Sequence, residues 1–333
     1  MTSYIAEHTI IELAGMIRSG IITSNDLVDE SLGLISDNDD LHAFISVFEQ
    51  ESRSAAEAQM MLMASGYDLG PLQGIPIAVK DNIDCDYGKT TYGSSIFREY
   101  QADKNAIVVS RLKKAGAIIV GKTNLHEFAW GGTTDNPHYG TAKNPWNQER
   151  IPAGSSGGSG IAVAKRMVCS ALGTDTGGSI RLPSAMDGVC GIRPTLGGIS
   201  TEGIFPVAWS MDTVGPMCSN AQDVELMFSI MSGAKYDPCN PVDLSRMRIG
   251  IIEDYSLQGL QPGVRQAFET MLDLIRERGA QIVNVLLPGV DEVVDAQLVV
   301  DAVEPSAVHY KLIQEKTLNT AVMYWPVFER DVI

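Results

Sequence analysis

Nowhere does this sequence run apolar for the roughly 18 residues that a membrane-crossing helix needs, so no bilayer span is expected. Residues Met1 to Glu7 lack the basic flank and apolar run of a secretory signal, and the expected compartment is cytoplasmic. Cysteine is scarce and scattered: Cys85, Cys169, Cys190, Cys218 and Cys239 are odd in number and include no CxxC pair. That argues against a zinc site and a disulfide framework, and no metal or cofactor is expected. Positive charge is short as well, with 25 Lys and Arg against 41 Asp and Glu and a formal net charge of −16. A chain this acidic repels phosphate backbones and anionic lipid, which excludes direct nucleic-acid or membrane binding through a basic face. The carboxylates are dispersed, with only short runs such as Asp37, Asp39 and Asp40, so no acidic tail is implied.

What is there is the balance of an ordinary globular chain, 44% hydrophobic and 20% charged, which rules out disorder, collagen and coiled coil. Thr9-Ile10-Ile11-Glu12 has the spacing of a capping box, and Gly20 ends the helix it opens. Ser24 or Asn25 is expected to cap a second helix with Val28, Leu32 and Ile35 on its apolar face. Phe44 to Phe48 reads as a strand and Glu51 to Ala64 as a helix. Ile75 to Val79 is a short apolar run that stops at Lys80-Asp81-Asn82, as a buried strand does.

A helix from about Lys104 to Ala115 then leads through Gly116 into the strand Ala117 to Val120. Helix followed by apolar strand is half of a crossover and implies a partly parallel sheet. Ile161 to Met167 and Val168 to Leu172 are the next helix and strand. A capped helix runs from Asn220 to Met231, and Met247 to Ile252 is another strand. Val264 to Ile275 forms an amphipathic helix, followed by the strand Ile282 to Leu287. No repeat and no interdomain linker stand out, and Phe328 to Ile333 hold no obvious terminal element.

Several motif matches fail on context. Gly116 to Thr123 fits the GxxxxGK[ST] phosphate loop, but its four middle residues form a β-branched strand that cannot curl round phosphate. Ser110 to Lys113 fits SxxK inside an amphipathic helix that packing already explains. Gly154 to Gly158 fits GxSxG without the preceding strand that a nucleophile elbow needs. The five histidines, His8, His42, His126, His138 and His309, offer neither a Ser-His-Asp triad nor an HExxH metal site.

Three features survive. Thr174 to Ser179 places two glycines before a serine, a turn that can expose several N–H groups as an oxyanion hole with Ser179 at its edge. A plain glycine turn with a capping serine explains the same residues. Ser155-Ser156-Gly157-Gly158-Ser159 is a hydroxyl cluster opening a helix, as an N-cap or anion nest also would be. Lys80 ends an apolar strand, where burial lowers a lysine pKa and lets the neutral amine accept a proton from serine. A snorkelling lysine or an ion pair with Asp81 is the plainer account.

Together with Gly70 to Asn82, Gly121 to Phe128 and Asn144-Pro145-Trp146, these features resemble the amidase signature family over essentially the whole chain. Carried over by position, the resemblance makes Ser179 the nucleophile, Ser155 a bridging serine in a cis peptide and Lys80 the base. It implies that Thr176, Gly177, Gly178 and Ser179 lend backbone N–H groups to the oxyanion, with Ser156, Asp175 and Arg181 bracing the site from behind.

The implied fold is α/β, one large mixed sheet covered by helices on both faces in a single domain 1–333. About residues 1–65 form a helical segment packed on the core. Ala153 stands where the family usually has glycine, and Arg193 to Gly198 departs from its usual Lys-Pro-Thr-x-Gly-Arg. Family chains are longer, so the C-terminal part is expected to be short.

The activity implied is hydrolysis of a carboxamide C–N bond through a serine acyl-enzyme, acting on a small-molecule amide. A second reading is the glutaminase (A) subunit of a tRNA-dependent amidotransferase, with partner subunits; a third is an inactive scaffold or fragment. The stretch Ala208 to Pro216 looks closer to free-standing amidases, for which a homodimer is compatible. Lys80→Ala is expected to abolish acylation, and Lys122→Ala to leave it intact.

Overall fold

The computed structural model describes residues 3–238 and 242–315, and it divides into two compact units. The first runs to Tyr236 and resumes at Val303; the second is Asp237–Ala302. In the first unit the order is α1 (Tyr4–Glu7), α2 (Ile10–Arg18), α3 (Ser24–Asp37), β1 (Phe44–Val47), α4 (Glu49–Ala64) and β2 (Pro76–Lys80). Then come α5 (Ile107–Lys114), β3 (Ile118–Thr123), α6 (Gly157–Ala164), β4 (Ser170–Asp175), α7 (Arg181–Asp187), β5 (Cys190–Gly191), β6 (Thr213–Cys218) and α8 (Ala221–Ser232).

Six strands form one mixed sheet in the order β1-β3-β2-β4-β6-β5. The central strand β2 pairs parallel with both β3 and β4, while β1, β5 and β6 join antiparallel. Both faces are buried, and the side chains divide with the two-residue period of a strand. Ile77, Val79, Ile119 and Leu172 join one core with Leu13 of α2, Leu112 of α5 and Met227 of α8. Ala78, Ile118, Val120 and Ala171 join the other with Val28 of α3, Ala56 of α4 and Ile161 of α6. Lys80 shares the parity of Ala78, which directs it toward the α6 side. The expected sheet covered by helices on both faces is what the chain forms.

Local signals decide most boundaries. Thr9 caps α2 through a full capping box with Glu12, as its spacing implies. The cap of α3 is Thr23 with Asp26, one residue before the expected Ser24. The helix expected from Ile161 begins at Gly157, and the following strand is Ser170–Asp175, shifted from Val168–Leu172. The phosphate-loop match resolves into β3, hydrogen-bonded on both sides.

The second unit contains β7 (Arg248–Ile251), α9 (Glu253–Ser256), α10 (Pro262–Glu277) and β8 (Gln281–Asn284); α11 (Val293–Glu315) starts within it. Here β7 and β8 pair in parallel, Arg248 opposite Gln281 through Ile251 opposite Asn284. The crossover helix α10 has proline in its first turn, where the missing N–H costs nothing. Among the described residues no helix is long and apolar enough to cross a membrane. The terminal Phe328 to Ile333 lie outside the described residues.

Candidate active site

Three chain segments converge at the C-terminal ends of β2 and β4. The first is Lys80, the last residue of β2, fully buried. Its Nζ lies 2.7 Å from Ser155 Oγ, 2.8 Å from Ser156 Oγ and 2.8 Å from Thr174 Oγ1. Among the described residues no carboxylate forms an ion pair with it; Asp81 pairs with Lys122 at 3.4 Å instead. Burial therefore drives the Lys80 pKa well below the usual lysine value, against the weaker opposing pull of the Asp175 and Asp212 charges.

The second segment enters α6. The Gly154–Ser155 peptide is cis. Thr134 braces this turn from outside, donating from Oγ1 to the Ala153 carbonyl at 2.8 Å and accepting the Gly157 N–H at 3.0 Å. Glycine is needed at 158 because a Cβ there would meet the Ala43 carbonyl oxygen at 2.4 Å and Asn124 backbone atoms at 2.5 Å. Ser156 donates its hydroxyl hydrogen to the Thr174 carbonyl at 3.2 Å, and its N–H to the Ser179 carbonyl at 3.2 Å. The second bond ties this turn to the third segment.

That segment leaves β4 as Thr176 to Ser179, with Gly178 at φ 139°. Asp175 organises it. Its Oδ1 accepts the Gly178 N–H at 2.9 Å, and its Oδ2 accepts the N–H groups of Ile180 at 3.1 Å and Arg181 at 3.3 Å. Arg181 adds a two-pronged contact, Nε to Oδ2 and Nη2 to Oδ1, each 3.0 Å, and Arg193 Nε sits 3.3 Å from Oδ1. Burial on its own raises the Asp175 pKa, but the Arg181 and Ile180 hydrogen bonds outweigh it and hold the carboxyl below the usual range.

One expectation needs correction. Gly178 spends its N–H on Asp175, so it is not a free oxyanion donor; the N–H groups of Gly177 and Ser179 have no protein partner among the described residues. Ser179 is half-buried, and its Oγ makes no hydrogen bond among the described residues. The structure thus brings Lys80, Ser155 and Ser156 into direct contact, and Ser179 beside them through its carbonyl. Asp175 and Arg181 form a bonded pair behind the loop.

Three polar residues of the site escape sequence reasoning. Thr174 touches Lys80 directly, and Asn82 donates from Nδ2 to Thr174 Oγ1 at 3.1 Å. Asp212 accepts the Thr176 hydroxyl at 2.6 Å and the N–H groups of Val207 at 2.9 Å and Ala208 at 3.1 Å. The antiparallel pairing of β4 with β6, Asp175 opposite Thr213, delivers Asp212 to this point. No cluster of three or more His, Cys, Asp or Glu among the described residues could hold a metal ion.

A family model described as Amidase matches residues 26–330. The chain belongs to the amidase family. The glutamyl-tRNA(Gln) amidotransferase A-subunit of Methylobacillus flagellatus is 40% identical over 298 residues, which cover 84% of this chain and 60% of that protein. The chain therefore spans about 60% of the length of that curated relative. A crystal structure described as an amidase superposes with a TM-score of 0.90 at 30% identity, covering 96% of this chain and 73% of that one. The glutamyl-tRNA(Gln) amidotransferase A-subunit of Thermotoga maritima gives a TM-score of 0.79 at 30% identity, covering 95% and 71%.

Proposed function

We propose that this chain hydrolyses a carboxamide C–N bond through a serine acyl-enzyme, with Ser179 as nucleophile, Ser155 as bridge and Lys80 as base. One observation carries the reading: a buried lysine with no carboxylate partner among the described residues, ringed by three hydroxyl oxygens. A lysine acts as a base only when neutral, and burial shifts Lys80 toward that form.

The hydrogens can be counted. A neutral amine has two N–H groups and one lone pair. Ser156 already gives its hydrogen to the Thr174 carbonyl, so its oxygen accepts from Lys80. Thr174 Oγ1, which accepts from Asn82, takes the second N–H. The lone pair is left for the Ser155 hydroxyl. As Ser179 attacks the amide carbon, its proton passes to Ser155 and the Ser155 proton to Lys80. Ser155 then protonates the departing nitrogen and takes its own proton back from Lys80, so the nitrogen leaves as ammonia, Lys80 is again neutral, and the acyl group remains as an ester on Ser179. Water repeats the sequence on that ester, releasing carboxylate and restoring Ser179. The N–H groups of Gly177 and Ser179 are free to receive the developing oxyanion.

The amide assigned is the side chain of glutamine, within an amidotransferase assembly whose partner subunits receive the ammonia. The names of the relatives at about 40% identity support this finer reading. A free-standing amidase is the second reading, favoured by the stretch Ala208 to Pro216 and by the higher structural similarity to a protein described as an amidase. Ammonia release from glutamine and from propionamide, with Ser179→Ala alongside, separates them. Glutamine turnover lost in the variant supports the first. Turnover of propionamide alone favours the second, and identical traces for wild type and variant sink both.

A further inference from the structure

Ser155 stands two residues before α6 and Ser179 two residues before α7, so the packing of α7 on α6 sets how the two serines face each other. The nucleophile loop is tied to α7: the Leu182 N–H donates to the Gly178 carbonyl at 2.7 Å and the Ser184 N–H to the Ile180 carbonyl at 3.0 Å. At the far end of α7 the Asp187 carboxyl, 0% exposed, fills a notch that glycine leaves in α6. A Cβ on Gly160 would meet Asp187 Oδ2 at 2.1 Å and Pro183 Cβ at 3.3 Å.

Little in this notch supports a negative charge. Asp187 Oδ1 accepts from Asn144 Nδ2 at 3.3 Å, but that amide also faces the Met186 carbonyl at 3.1 Å and the Ile151 carbonyl at 3.4 Å. Two N–H groups therefore serve three acceptors. Asp187 Oδ2 is buried with no hydrogen-bond partner among the described residues. The titratable neighbours offer no counter-charge. Strand β5 brings only Cys190, and α6 brings none. Trp146 Nε1 donates to the Asp187 main-chain carbonyl at 2.8 Å, Glu149 and Arg150 after it lie exposed, and Arg181 at the start of α7 is held by Asp175. Burial, with no charged group opposing it, pushes the Asp187 pKa up to about 8. A buried carboxylate without a partner costs far more than the neutral acid in the same place.

We infer that Asp187 is a positioning residue for the acyl-enzyme chemistry: as an uncharged carboxylic acid it seats α7 in the Gly160 notch and holds Ser179 toward Ser155, and its ionisation unseats α7. The inference rests on the acyl-enzyme reading above. Asp187 touches no reacting atom and acts only through α7.

The test follows the rate of fluorophosphonate labelling of Ser179 from about pH 5 to about pH 10 in wild type, Asp187→Asn and Asp187→Ala. Dividing the wild-type rate by the Asp187→Asn rate cancels the Lys80 titration common to both. That ratio should be flat in acid and fall about tenfold per pH unit above about pH 8. Asp187→Ala leaves a hole and lowers stability at every pH, yet it too should lack the alkaline fall. Urea unfolding gives a second readout. The folded carboxyl keeps its proton to a higher pH than the unfolded value of about 3.9, so its contribution to stability is lost as pH rises through that window. The folding equilibrium constant falls there by up to about tenfold per pH unit, and Asp187→Asn should remove that slope.

A ratio that stays flat to about pH 10, or an alkaline fall that persists in both variants, would overturn the assignment. So would failure of Asp187→Asn to fold, because a neutral group of that size is what the notch accommodates. A merely structural Asp187 would change the rate by the same factor at every pH. No labelling of wild type at any pH overturns the acyl-enzyme reading and the positioning role together; labelling without the alkaline fall overturns the positioning role alone.

Discussion

Two fully buried lysines stand on neighbouring strands of one sheet, Lys80 on β2 and Lys122 on β3, and their surroundings give them opposite electrostatics. Lys122 Nζ pairs with Asp81 at 3.4 Å and donates to Thr90 Oγ1 at 2.9 Å and to the Ile83 carbonyl. Lys122→Met leaves the Asp81 carboxylate buried without its cation. Breaking a buried pair in this way costs about 3–5 kcal/mol. Removing Lys122 is therefore expected to lower stability, with acylation of the protein that remains folded still intact.

Lys80→Met is a different perturbation. It removes a neutral amine from among hydroxyls, one of which, Ser156, keeps the Thr174 carbonyl as acceptor. The three lost hydrogen bonds cost about 1 kcal/mol each. Against this, the folded Lys80 pKa lies well below the unfolded value of about 10.4, so between the two values folding must strip a proton that methionine never carried. Between the folded and unfolded values the unfolded chain binds more protons, so Lys80 makes stability rise with pH; the methionine variant lacks that slope.

Urea unfolding of both variants at pH 7 should show Lys122→Met reduced by about 3–5 kcal/mol and Lys80→Met within about 1 kcal/mol of wild type. Only Lys80→Met should be folded and inert. If Lys80→Met loses as much stability as Lys122→Met, Lys80 is charged in the folded protein and cannot be the base.

Other outcomes follow from the same geometry. Asp175→Asn removes the charge that faces Arg181 and Arg193 and gathers the loop, so it should lower stability by about 1–3 kcal/mol and abolish Ser179 acylation, read by urea unfolding and by mass. Gly158→Ala should gain about 1 kcal/mol if helix propensity ruled, but the close approach of Ala43 and Asn124 backbone predicts a loss of about 1–3 kcal/mol or more, visible in the unfolding midpoint. Thr134→Val deletes the hydroxyl holding Ala153 and Gly157, and should slow acylation more than it lowers the melting temperature. The acylation rate should fall as acid protonates Lys80, with an inflection well below the ordinary lysine range that is absent from Lys80→Met.

How far the sequence carries the fold depends on where the physics is local. The capping box at Thr9 and the apolar strand before Lys80 are short-range signals, and both appear where expected. The start of α6 is not local: Gly157-Gly158-Ser159-Gly160 has poor helix propensity, and the helix forms there because small residues let it approach Asn124, Ala43 and Asp187 closely. Strand β6 escapes a pattern reading because Thr213 to Cys218 includes a glycine and a proline and shows no alternation, being buried on both faces. Long α11 escapes it too, with Pro305 inside the helix.

The site divides in the same way. Lys80, Ser155 and Ser179 are legible from motif and resemblance. Thr174, Asn82 and Asp212 depend on which strand lies beside β4, a fact of tertiary pairing. The Gly178 N–H looks available to an oxyanion in the sequence, which does not reveal that Asp175 folds back to claim it.

The most direct test of the Ser179–Ser155–Lys80 assignment is peptide mapping by mass after fluorophosphonate treatment of wild type, Ser179→Ala and Lys80→Met, each shown to be folded. A single adduct is expected on the peptide carrying Ser179 in wild type, and none in either variant. An adduct that persists in folded Lys80→Met at the wild-type rate, or that sits on a residue other than Ser179, would contradict it.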